Sequence, residues 1–340
     1  MILVTGGTGL LGSHLIFRLA KQQLRVRVLK RPGSDISKVK RIFSIYDNEP
    51  DRYLKNLEFV DGDLLDIQSI DDALSGVSQV YHCAAMVSFH PVDQRNLVHV
   101  NERGTANLVN ACLARRGIRF CHVSSIATLV SAKQGEILTE SSFWKSSKRH
   151  SVYAISKFAA EREVWRAAEE GLDMFVVNPS VILGPGNWKT DSSRLFGMIN
   201  KGMYFHTNGT TGYTDVRDVA EIMIRLMNHG IKGDRFIVSA ENLTYQQVFS
   251  MIAQALNKKK PFIKLSPIAV QLAWRVFYPL QWFGIQPLAT REIARTAFNR
   301  STYDNSKIKN LIDYQFIPIS QSIIDTAGIF LKEQQPTKSS

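Results

Sequence analysis

The sequence predicts an α/β fold, in which a doubly wound parallel sheet is followed by a smaller C-terminal lobe. Short apolar runs alternate with helix-period segments through the first half of the chain, a pattern typical of right-handed βαβ units. A glycine-rich turn follows the first apolar run. After Pro179 the alternation loosens into helices and short strands. We therefore expect the lobe to lie over the carboxyl ends of the sheet, where open α/β folds bind ligands.

The first half predicts six strands and four helices. The strands are expected at 2–4, 25–29, 57–60, 79–83, 119–123 and 174–178. The helices are expected at 12–22, 67–75, 102–115 and 154–170, with Asp66 as the N-cap of the second.

The second half predicts mainly helices. These lie at 192–202, 216–229, 245–257 and 266–284, with a turn and helix over Tyr303–Leu311. We expect a sheet domain over residues 1–178, whose core continues through parts of 213–240. Residues 179–332 would then form mainly the lobe, and 333–340 a flexible tail.

Composition narrows the class of protein. The chain has 340 residues, of which 44% are hydrophobic and 21% charged, as in an ordinary globular protein. Its net charge of +12 is spread along the chain and accompanies no nucleic-acid-binding motif, so we expect no nucleic-acid partner. The positive field would instead draw an anionic ligand towards a cleft.

Cellular context is predicted from the cysteines and the N-terminus. The three cysteines show no metal-ligand spacing, so we expect buried reduced thiols and no metal site. The first strand begins at residue 2, which leaves no room for a signal peptide, and no apolar stretch is long enough to span a membrane. These observations predict a cytoplasmic protein.

The glycine-rich turn is typical of a pyrophosphate site. Small residues between a strand and a helix let the backbone approach phosphates, and the N–H groups of the helix start face the anion. Gly7, Gly9 and Gly12 fit the G-x-G-x-x-G pattern, while Gly6, Gly9 and Gly12 fit a three-residue spacing. We expect the second set to matter and Gly7 to be incidental. The alternative is a tight turn without a ligand.

A tyrosine and a lysine are expected to share a site. Tyr153 and Lys157 stand four residues apart on a predicted helix and so lie on one face. A phenol has a pKa near 10, and a nearby ammonium would favour its phenolate, which suits proton exchange with a carbinol oxygen. Ser124 and Ser125 end the 119–123 strand, where a hydroxyl can stabilise a developing alkoxide. A surface pair and a strand cap are the alternatives.

Taken together, these motifs resemble the extended short-chain dehydrogenase/reductase family, within the epimerase/dehydratase superfamily, over nearly the whole chain. The resemblance is nearest to dihydroflavonol 4-reductase-like and 3β-hydroxysteroid dehydrogenase-like members. It implies an oxidoreductase with a Rossmann-type sheet. The matching pieces, in family order, are Thr5–Gly12, Gly62–Leu64, Tyr81–Ala85, Asn101–Thr105, Val123–Ser125, Tyr153–Lys157, Asn178–Pro185, Asp215–Ala220 and Tyr303–Lys307.

Residue roles follow from the resemblance. It implies Tyr153 as acid/base, Lys157 on the cofactor ribose, and Ser125 as the donor to the substrate oxygen, with Ser124 as the neighbouring alternative. Asp63 and Leu64 would sit at the adenine, although Asp63 could be only a turn residue. The residues expected at the cofactor are Thr5, Gly6, Gly7, Thr8, Gly9, Leu10, Leu11, Gly12, Lys30, Arg31, Asp63, Leu64, Ala84, Ala85, Asn101, Ser124, Tyr153, Lys157, Pro179 and Val181.

The second predicted strand bears on the choice of cofactor. A chain that binds NAD places an acid about twenty residues beyond the glycine loop, to bind the ribose 2′-hydroxyl. Here Lys30 and Arg31 occupy that region, and an arginine suits a 2′-phosphate. We therefore expect NADP rather than NAD, unless the two charges simply open a loop.

Three functions remain open. The expected one is reduction of a carbonyl, or oxidation of a secondary alcohol, in a small hydrophobic substrate. A nucleotide-sugar epimerase or dehydratase with bound NAD is the alternative, which the polar residues Asn178 and Arg217 keep open. A non-catalytic NADP-binding scaffold or redox sensor is the third.

Two surfaces are open to interpretation. The aromatic stripe within 264–284 could form a pocket wall, a peripheral membrane contact, lobe core or a dimer face. Its members are Trp274, Phe277, Tyr278, Trp282 and Phe283. Family members often form a homodimer through the two long helices. Leu108, Leu113, Phe158 and Trp165 could serve that face or belong to the core.

Overall fold

The computed structural model describes residues 1–87, 93–129, 135–142, 144, 150–277 and 297–335. Its strands are β1 Ile2–Thr5, β2 Val26–Lys30, β3 Leu57–Asp61, β4 Gln79–His82, β5 Arg119–Val123, β6 Ile137–Leu138, β7 Asp173–Pro179, β8 Val181–Leu183, β9 Phe205–His206, β10 Thr210–Asp215, β11 Asp234–Val238, β12 Glu241–Thr244, β13 Ile263–Lys264 and β14 Thr302–Tyr303. Its helices are α1 Leu10–Lys21, α2 Ser37–Tyr46, α3 Asp51–Leu54, α4 Ile67–Ala73, α5 Gln94–Arg115, α6 Val152–Glu169, α7 Arg194–Asn200, α8 Val216–His229, α9 Tyr245–Ala255, α10 Pro267–Phe277, α11 Ser306–Ile312 and α12 Ile319–Gln334.

Seven parallel strands form the central sheet, in the order β11-β7-β5-β4-β1-β2-β3. The strand order reverses at β1, whose two neighbours are β2 and β4. In such a sheet the ligand crevice opens at the carboxyl ends of the strands beside this reversal. The predicted Rossmann-type sheet is confirmed, and the topology brings the ends of β1, β4 and β5 to one edge.

Helices cover both faces of the sheet because its strands are apolar on both sides. On one face α1, α2 and α8 bury Leu15, Phe43 and Met223 against β1 and β2. On the other face α4, α5 and α6 bury Ile70, Leu108 and Val164. Leu108 is fully buried, while Leu113 and Trp165 pack against the same core. Leu108 therefore belongs to the core, while Leu113 and Trp165 remain partly exposed at its edge.

A separate core lies in the second half of the chain. It joins α7, α9, α12 and β10 through Phe196, Ile252, Ile323 and Tyr213. The small sheet β12-β10-β8 supports this lobe.

The six expected strands are confirmed, and the expected helices match the structure closely. The main difference is α5, which begins at Gln94 instead of 102; of the apolar residues in its first two turns, Leu97, Val98 and Val100, only Leu97 is buried. Helices α2, α3 and α12 and the separate strand β11 were not predicted from the sequence. Within 266–284, helix α10 is described to Phe277; Tyr278, Trp282 and Phe283 lie outside the described residues, as do the side chains of Trp274 and Phe277.

The cysteines agree with the expectation of reduced thiols. Cys112 and Cys121 are buried, Cys83 is partly buried, and none of the three forms a disulfide. Burial raises the pKa of Cys83 and of Cys112 to about 12, so both thiols are protonated at neutral pH. None of the helices described in the structure is both long enough and apolar enough to cross a membrane.

Candidate active site

The glycine loop joins β1 to α1 and leaves the start of the helix open. Gly9 is the N-cap of α1, no side chain caps this end, and the first turn holds no acidic residue. Gly6 adopts a φ of +72°, and a Cβ there would lie 2.6 Å from the Ala84 nitrogen. The loop therefore lies against the chain after β4 and presents unpaired helix N–H groups at the sheet edge.

The structure corrects the expectation that Gly7 is incidental. A Cβ on Gly7 would lie 2.5 Å from Cγ1 of Val28, a fully buried residue of β2. Gly7 is needed so that the loop can pack on the neighbouring strand. The three-residue glycine spacing does not predict that position 7 must be glycine, because the contact that requires it is made with Val28 on a different strand.

A chain of buried hydrogen bonds holds the loop to β4 and α5. Thr5 Oγ1 lies 2.7 Å from Nδ1 of His82, and Nε2 of His82 lies 3.0 Å from Oγ1 of Thr105. The Thr105 hydroxyl donates to the Asn101 carbonyl, so Nε2 of His82 carries the proton and Nδ1 accepts from Thr5. Neither His82 nor Thr105 was given a role of its own from the sequence, although His82 lies in the motif 81–85 and Thr105 ends the motif 101–105.

Asn101 and the chain after β4 form one unit. The Asn101 amide accepts from the Met86 N–H at 2.7 Å and donates to the Met86 carbonyl and to Ser156 Oγ, both at 3.0 Å. Asn101 is buried and thus fixes the segment that contains Ala84 and Ala85. Through these hydrogen bonds the Asn101 side chain holds the backbone next to the two alanines expected at the cofactor.

Asp63 and Leu64 lie in a turn after β3. The Asp63 carboxylate accepts from the Leu65 N–H at 2.9 Å, which is the turn role considered as its alternative. Leu64 packs against Gly104 of α5, and its carbonyl accepts from Asn107. Asp66 caps α4 through the Gln68 N–H, as expected.

Lys30 and Arg31 differ in their surroundings. Lys30 ends β2 beside Asp61, the last residue of β3, and their side chains form an ion pair. Arg31 is exposed, and the structure gives it no partner among the described residues. Of the two predicted 2′-phosphate ligands, Arg31 is therefore the one whose guanidinium is available.

Ser125 and Tyr153 meet beyond the carboxyl end of β5. Both residues are half-buried and their side chains interact, while Ser125 Oγ also accepts from the Ala127 N–H at 3.1 Å. Burial raises the pKa of Tyr153, while the hydrogen bond to Ser125 lowers it. The phenol is therefore protonated at neutral pH and can donate a proton.

Lys157 lies one turn further along α6 and is 3% exposed. Its Nζ donates to the Val123 carbonyl at 2.7 Å. Burial lowers the pKa of Lys157 to about 8, against the opposing effect of Glu161. The hydrogen bond to Val123 holds the ammonium at the end of β5, one helical turn from Tyr153.

A buried carboxylate that the sequence analysis missed organises the rest of the site. Glu161 is 2% exposed, and its Oε2 accepts from Ser124 Oγ at 2.5 Å and lies 3.1 Å from Nδ2 of Asn178. Its Oε1 accepts from Trp165 and from Arg235 of β11, at 3.2 and 3.3 Å. The sequence does contain a signal for Glu161, since it follows Tyr153 and Lys157 at the same four-residue spacing on one helix.

The same network holds the turn that bears Ser125. The Thr128 hydroxyl lies 2.9 Å from Glu161 Oε2 and also 2.9 Å from the Ser125 carbonyl. Nδ2 of Asn178 lies 3.2 Å from that carbonyl. Ser124 therefore points at Glu161 while Ser125 points at Tyr153, which separates the roles of the two serines.

The remaining predicted residues line the lobe side of the edge. Pro179 ends β7 and is buried, and Val181 begins β8. Arg217 forms two hydrogen bonds with Asp215, at 2.9 and 2.8 Å, and an ion pair with Asp325 at 2.8 Å.

These residues suit a dinucleotide. The uncapped start of α1 faces the sheet edge and offers backbone N–H groups to a pyrophosphate. Exposed Arg31 adds a positive charge past β2, and buried Lys157 adds one at β5. Thr8, Leu10 and Leu11 belong to the same turn, with Leu11 buried and Leu10 packed on the core.

Several named enzymes are similar to this chain in sequence. A sterol demethylase protein B of Methylococcus capsulatus is 30% identical over 79% of this chain and 78% of its own. A putative dihydroflavonol 4-reductase of Synechocystis is 29% identical over 96% and 93%. Tetraketide alpha-pyrone reductase 2 of Arabidopsis thaliana is 31% identical over 74% and 81%.

Solved structures share the fold. The crystal structure of gox2253 superposes with a TM-score of 0.81 at 28% identity, over 98% of this chain and 99% of that one. A Thermus thermophilus UDP-glucose 4-epimerase in complex with NAD superposes with a TM-score of 0.73 at 21% identity, over 97% and 98%. At that identity the second likeness shows the fold alone.

The family assignment rests on the sheet, the glycine loop and the relatives together. The family model for NAD-dependent epimerases and dehydratases matches residues 2–239, which span the whole central sheet. The chain thus belongs to the NAD-dependent epimerase/dehydratase family, as an enzyme of NAD(P)-dependent oxidoreductase character.

Proposed function

We propose that this enzyme reduces a carbonyl group, or oxidises the corresponding secondary alcohol, in a small hydrophobic substrate with NADP(H). The observation that supports this most directly is that Ser125 and Tyr153 lie together at the end of β5, one helical turn from buried Lys157. Two hydroxyls that already meet can both contact one substrate oxygen. Relatives named as dihydroflavonol and tetraketide α-pyrone reductases support both carbonyl reduction and a small hydrophobic substrate.

Each residue has a distinct task in this proposal. Ser125 donates a hydrogen bond to the substrate oxygen and orients the carbonyl. Tyr153 transfers its phenolic proton to that oxygen, because burial keeps the phenol protonated. Lys157 holds a positive charge at the end of β5, where it stabilises the tyrosinate left behind. The reduced nicotinamide, when bound, supplies the hydride to the carbonyl carbon.

The proposed preference for NADP rests on Arg31. A guanidinium can bind a 2′-phosphate through two hydrogen bonds, whereas Lys30 is already paired with Asp61. Arg31→Glu should weaken NADPH binding more than tenfold and leave NADH binding nearly unchanged. Lys30→Gln is the matched comparison and should have the smaller effect on NADPH. Fluorescence titration measures both, and tighter binding of NADH by the unaltered enzyme would overturn the preference.

An epimerase or dehydratase of nucleotide sugars is the second candidate, because the family includes both chemistries. Its sequence support came from Asn178 and Arg217. Asn178 is fully buried against Glu161, and Arg217 is bound by two carboxylates. Both side chains would have to leave these partners to bind a pyrophosphate, which makes this candidate the weaker.

One experiment separates the two candidates. NADPH consumption is followed with a panel of hydrophobic ketones and aldehydes, and the protein as purified is examined by native mass spectrometry. A reductase consumes NADPH with at least one carbonyl and carries no stoichiometric NAD. Retained NAD together with conversion of a nucleotide sugar would contradict the proposal. The homodimer and the cytoplasmic location stay predictions of the sequence.

A further inference from the structure

One stretch of the lobe has charge of a single sign. Residues 242–277 contain five Lys or Arg residues and no Asp or Glu. Four of the five are lysines, and all four are exposed. They are Lys258, Lys259, Lys260 and Lys264. Such a run presents an unbalanced positive surface to solvent.

The same stretch exposes large apolar side chains. Phe262 is 69% exposed, Ile268 is 73% exposed and Leu272 is 55% exposed. Ile268 and Leu272 stand four residues apart on α10, so they share a face, while Val270 turns inward at 5% exposure. Among the large apolar residues of α10 whose side chains the structure describes, Val270 packs inward while Ile268 and Leu272 lie in solvent.

A two-stranded ribbon, whose second strand precedes α10 in the chain, exposes further apolar side chains. β13 pairs with β9, and in that register Ile263 lies beside Phe205, which is 47% exposed. The ring of Tyr204 lies 5.8 Å from the ring of Phe262. We call the surface formed by β9, β13, α10 and the lysines at 258–260 the basic apolar surface.

We propose that the basic apolar surface docks on a bilayer that contains anionic phospholipid. Lysines attract acidic headgroups, and exposed Phe, Ile and Leu side chains enter the boundary between headgroups and acyl chains. Nucleic acid would use the charge but gain nothing from Phe262, Ile268 and Leu272. This docking requires no catalysis and therefore stands independently of the proposed reaction.

Helix α12 shows that exposed apolar residues alone do not define such a surface. Ile324 is 57% exposed and Leu331 is 38% exposed, so α12 resembles α10 in this respect. Its apolar positions, however, alternate with Asp325 and Glu333, and acidic headgroups would repel these carboxylates. The two helices form a natural pair of test and control.

The test is co-sedimentation with vesicles of phosphatidylcholine, with and without phosphatidylglycerol, at low and high salt. The protein should bind the phosphatidylglycerol vesicles, and salt should weaken that binding. Lys258→Gln with Lys260→Gln should weaken it roughly thirtyfold, at about fivefold per lysine. Phe262→Ser with Ile268→Ser should weaken it at least about tenfold. Ile324→Ser with Leu331→Ser on α12 should change nothing, and thermal melts check that each variant is folded.

Several outcomes would overturn the proposal. Absence of binding to phosphatidylglycerol vesicles by the unaltered protein is one. A second is that the Phe262→Ser/Ile268→Ser variant binds vesicles as well as the unaltered protein does, while the unaltered protein binds a DNA duplex more tightly than vesicles. A third is a concentration-dependent dimer that this variant abolishes while vesicle binding is absent, which would make the surface a contact between copies of the chain.

Discussion

Ser124 and Ser125 are neighbours with the same side chain, yet they contact different groups. Ser125 meets Tyr153, whereas Ser124 donates to the buried carboxylate of Glu161. We expect Ser125→Ala to lower kcat about 10²–10³-fold with NADPH affinity retained, because it removes a donor to the substrate oxygen. Ser124→Ala should mainly lower the free energy of unfolding, by about 1–3 kcal/mol, because it removes one of the hydrogen bonds donated to the buried carboxylate of Glu161. Steady-state kinetics and urea unfolding distinguish the two variants. A larger loss of kcat in Ser124→Ala than in Ser125→Ala would mean that Ser124 is the donor to the substrate oxygen.

Lys157 gives the site a pH dependence. Burial lowers its pKa to about 8, so the ammonium is present below that pH and is lost above it. The proposed role needs the charged form, so kcat/KM for carbonyl reduction should fall as pH rises through about 8. A pH profile of the reduction measures this limb. A flat profile from pH 7 to pH 9.5 would mean that the charge of Lys157 does not assist the reaction.

At the scale of elements, helix α6 unites the catalytic residues with the carboxylate beneath them. Glu161 raises the pKa of Lys157, against the larger effect of burial. Glu161→Gln should therefore move the alkaline limb of the rate profile to lower pH, because the ammonium loses a stabilising charge. It should also lower the free energy of unfolding by about 1–3 kcal/mol, since Ser124, Trp165 and Arg235 lose an anionic acceptor.

Glu163→Gln is the matched control for Glu161. Glu163 lies on the same helix but pairs with Arg166 near the surface. Its substitution should leave both the pH profile and the stability nearly unchanged, because such pairs contribute little. If Glu161→Gln lowers activity equally at every pH, the residue supports the structure without tuning Lys157.

The sequence determines the elements better than the contacts between them. Apolar runs and glycine turns are local patterns, so the six strands and the stripe from Tyr153 to Lys157 could be predicted. Gly7 was misjudged because its constraint is Val28 on another strand. The Glu161 network joins α6, β5, β7 and β11, and no local pattern reports which buried polar groups will meet. Helix α12, by contrast, has a clear helical period and could have been found.

At the scale of the whole molecule, three buried histidines make stability depend on pH. Burial lowers the pKa of His14 to about 4 and that of His82 to about 3, and it lowers the pKa of His122 well below its usual range. The unfolded chain therefore binds protons more readily than the folded one. The contribution of these histidines to the free energy of unfolding is fully present above about pH 6.5 and is lost as pH falls towards 4. His14 alone contributes on the order of 3 kcal/mol to this change.

Substitution of one histidine tests the source of that dependence. Neither ring nitrogen of His122 has a hydrogen-bond partner within the described part of the chain. His122→Leu should reduce the difference in unfolding free energy between pH 7.5 and pH 5, measured by urea denaturation. His229→Gln, at an exposed position on α8, should leave that difference unchanged. An unchanged difference in both variants would place the acid sensitivity elsewhere.

The central claim is that Tyr153 passes a proton to the substrate oxygen in an NADPH-dependent reduction. Its most direct test is the substitution Tyr153→Phe, assayed for NADPH consumption with an active carbonyl substrate and for NADPH binding by fluorescence titration. The account predicts that turnover falls at least about 10²–10⁴-fold while NADPH affinity stays within a few-fold of the unaltered enzyme. Turnover that persists with NADPH still bound would contradict it.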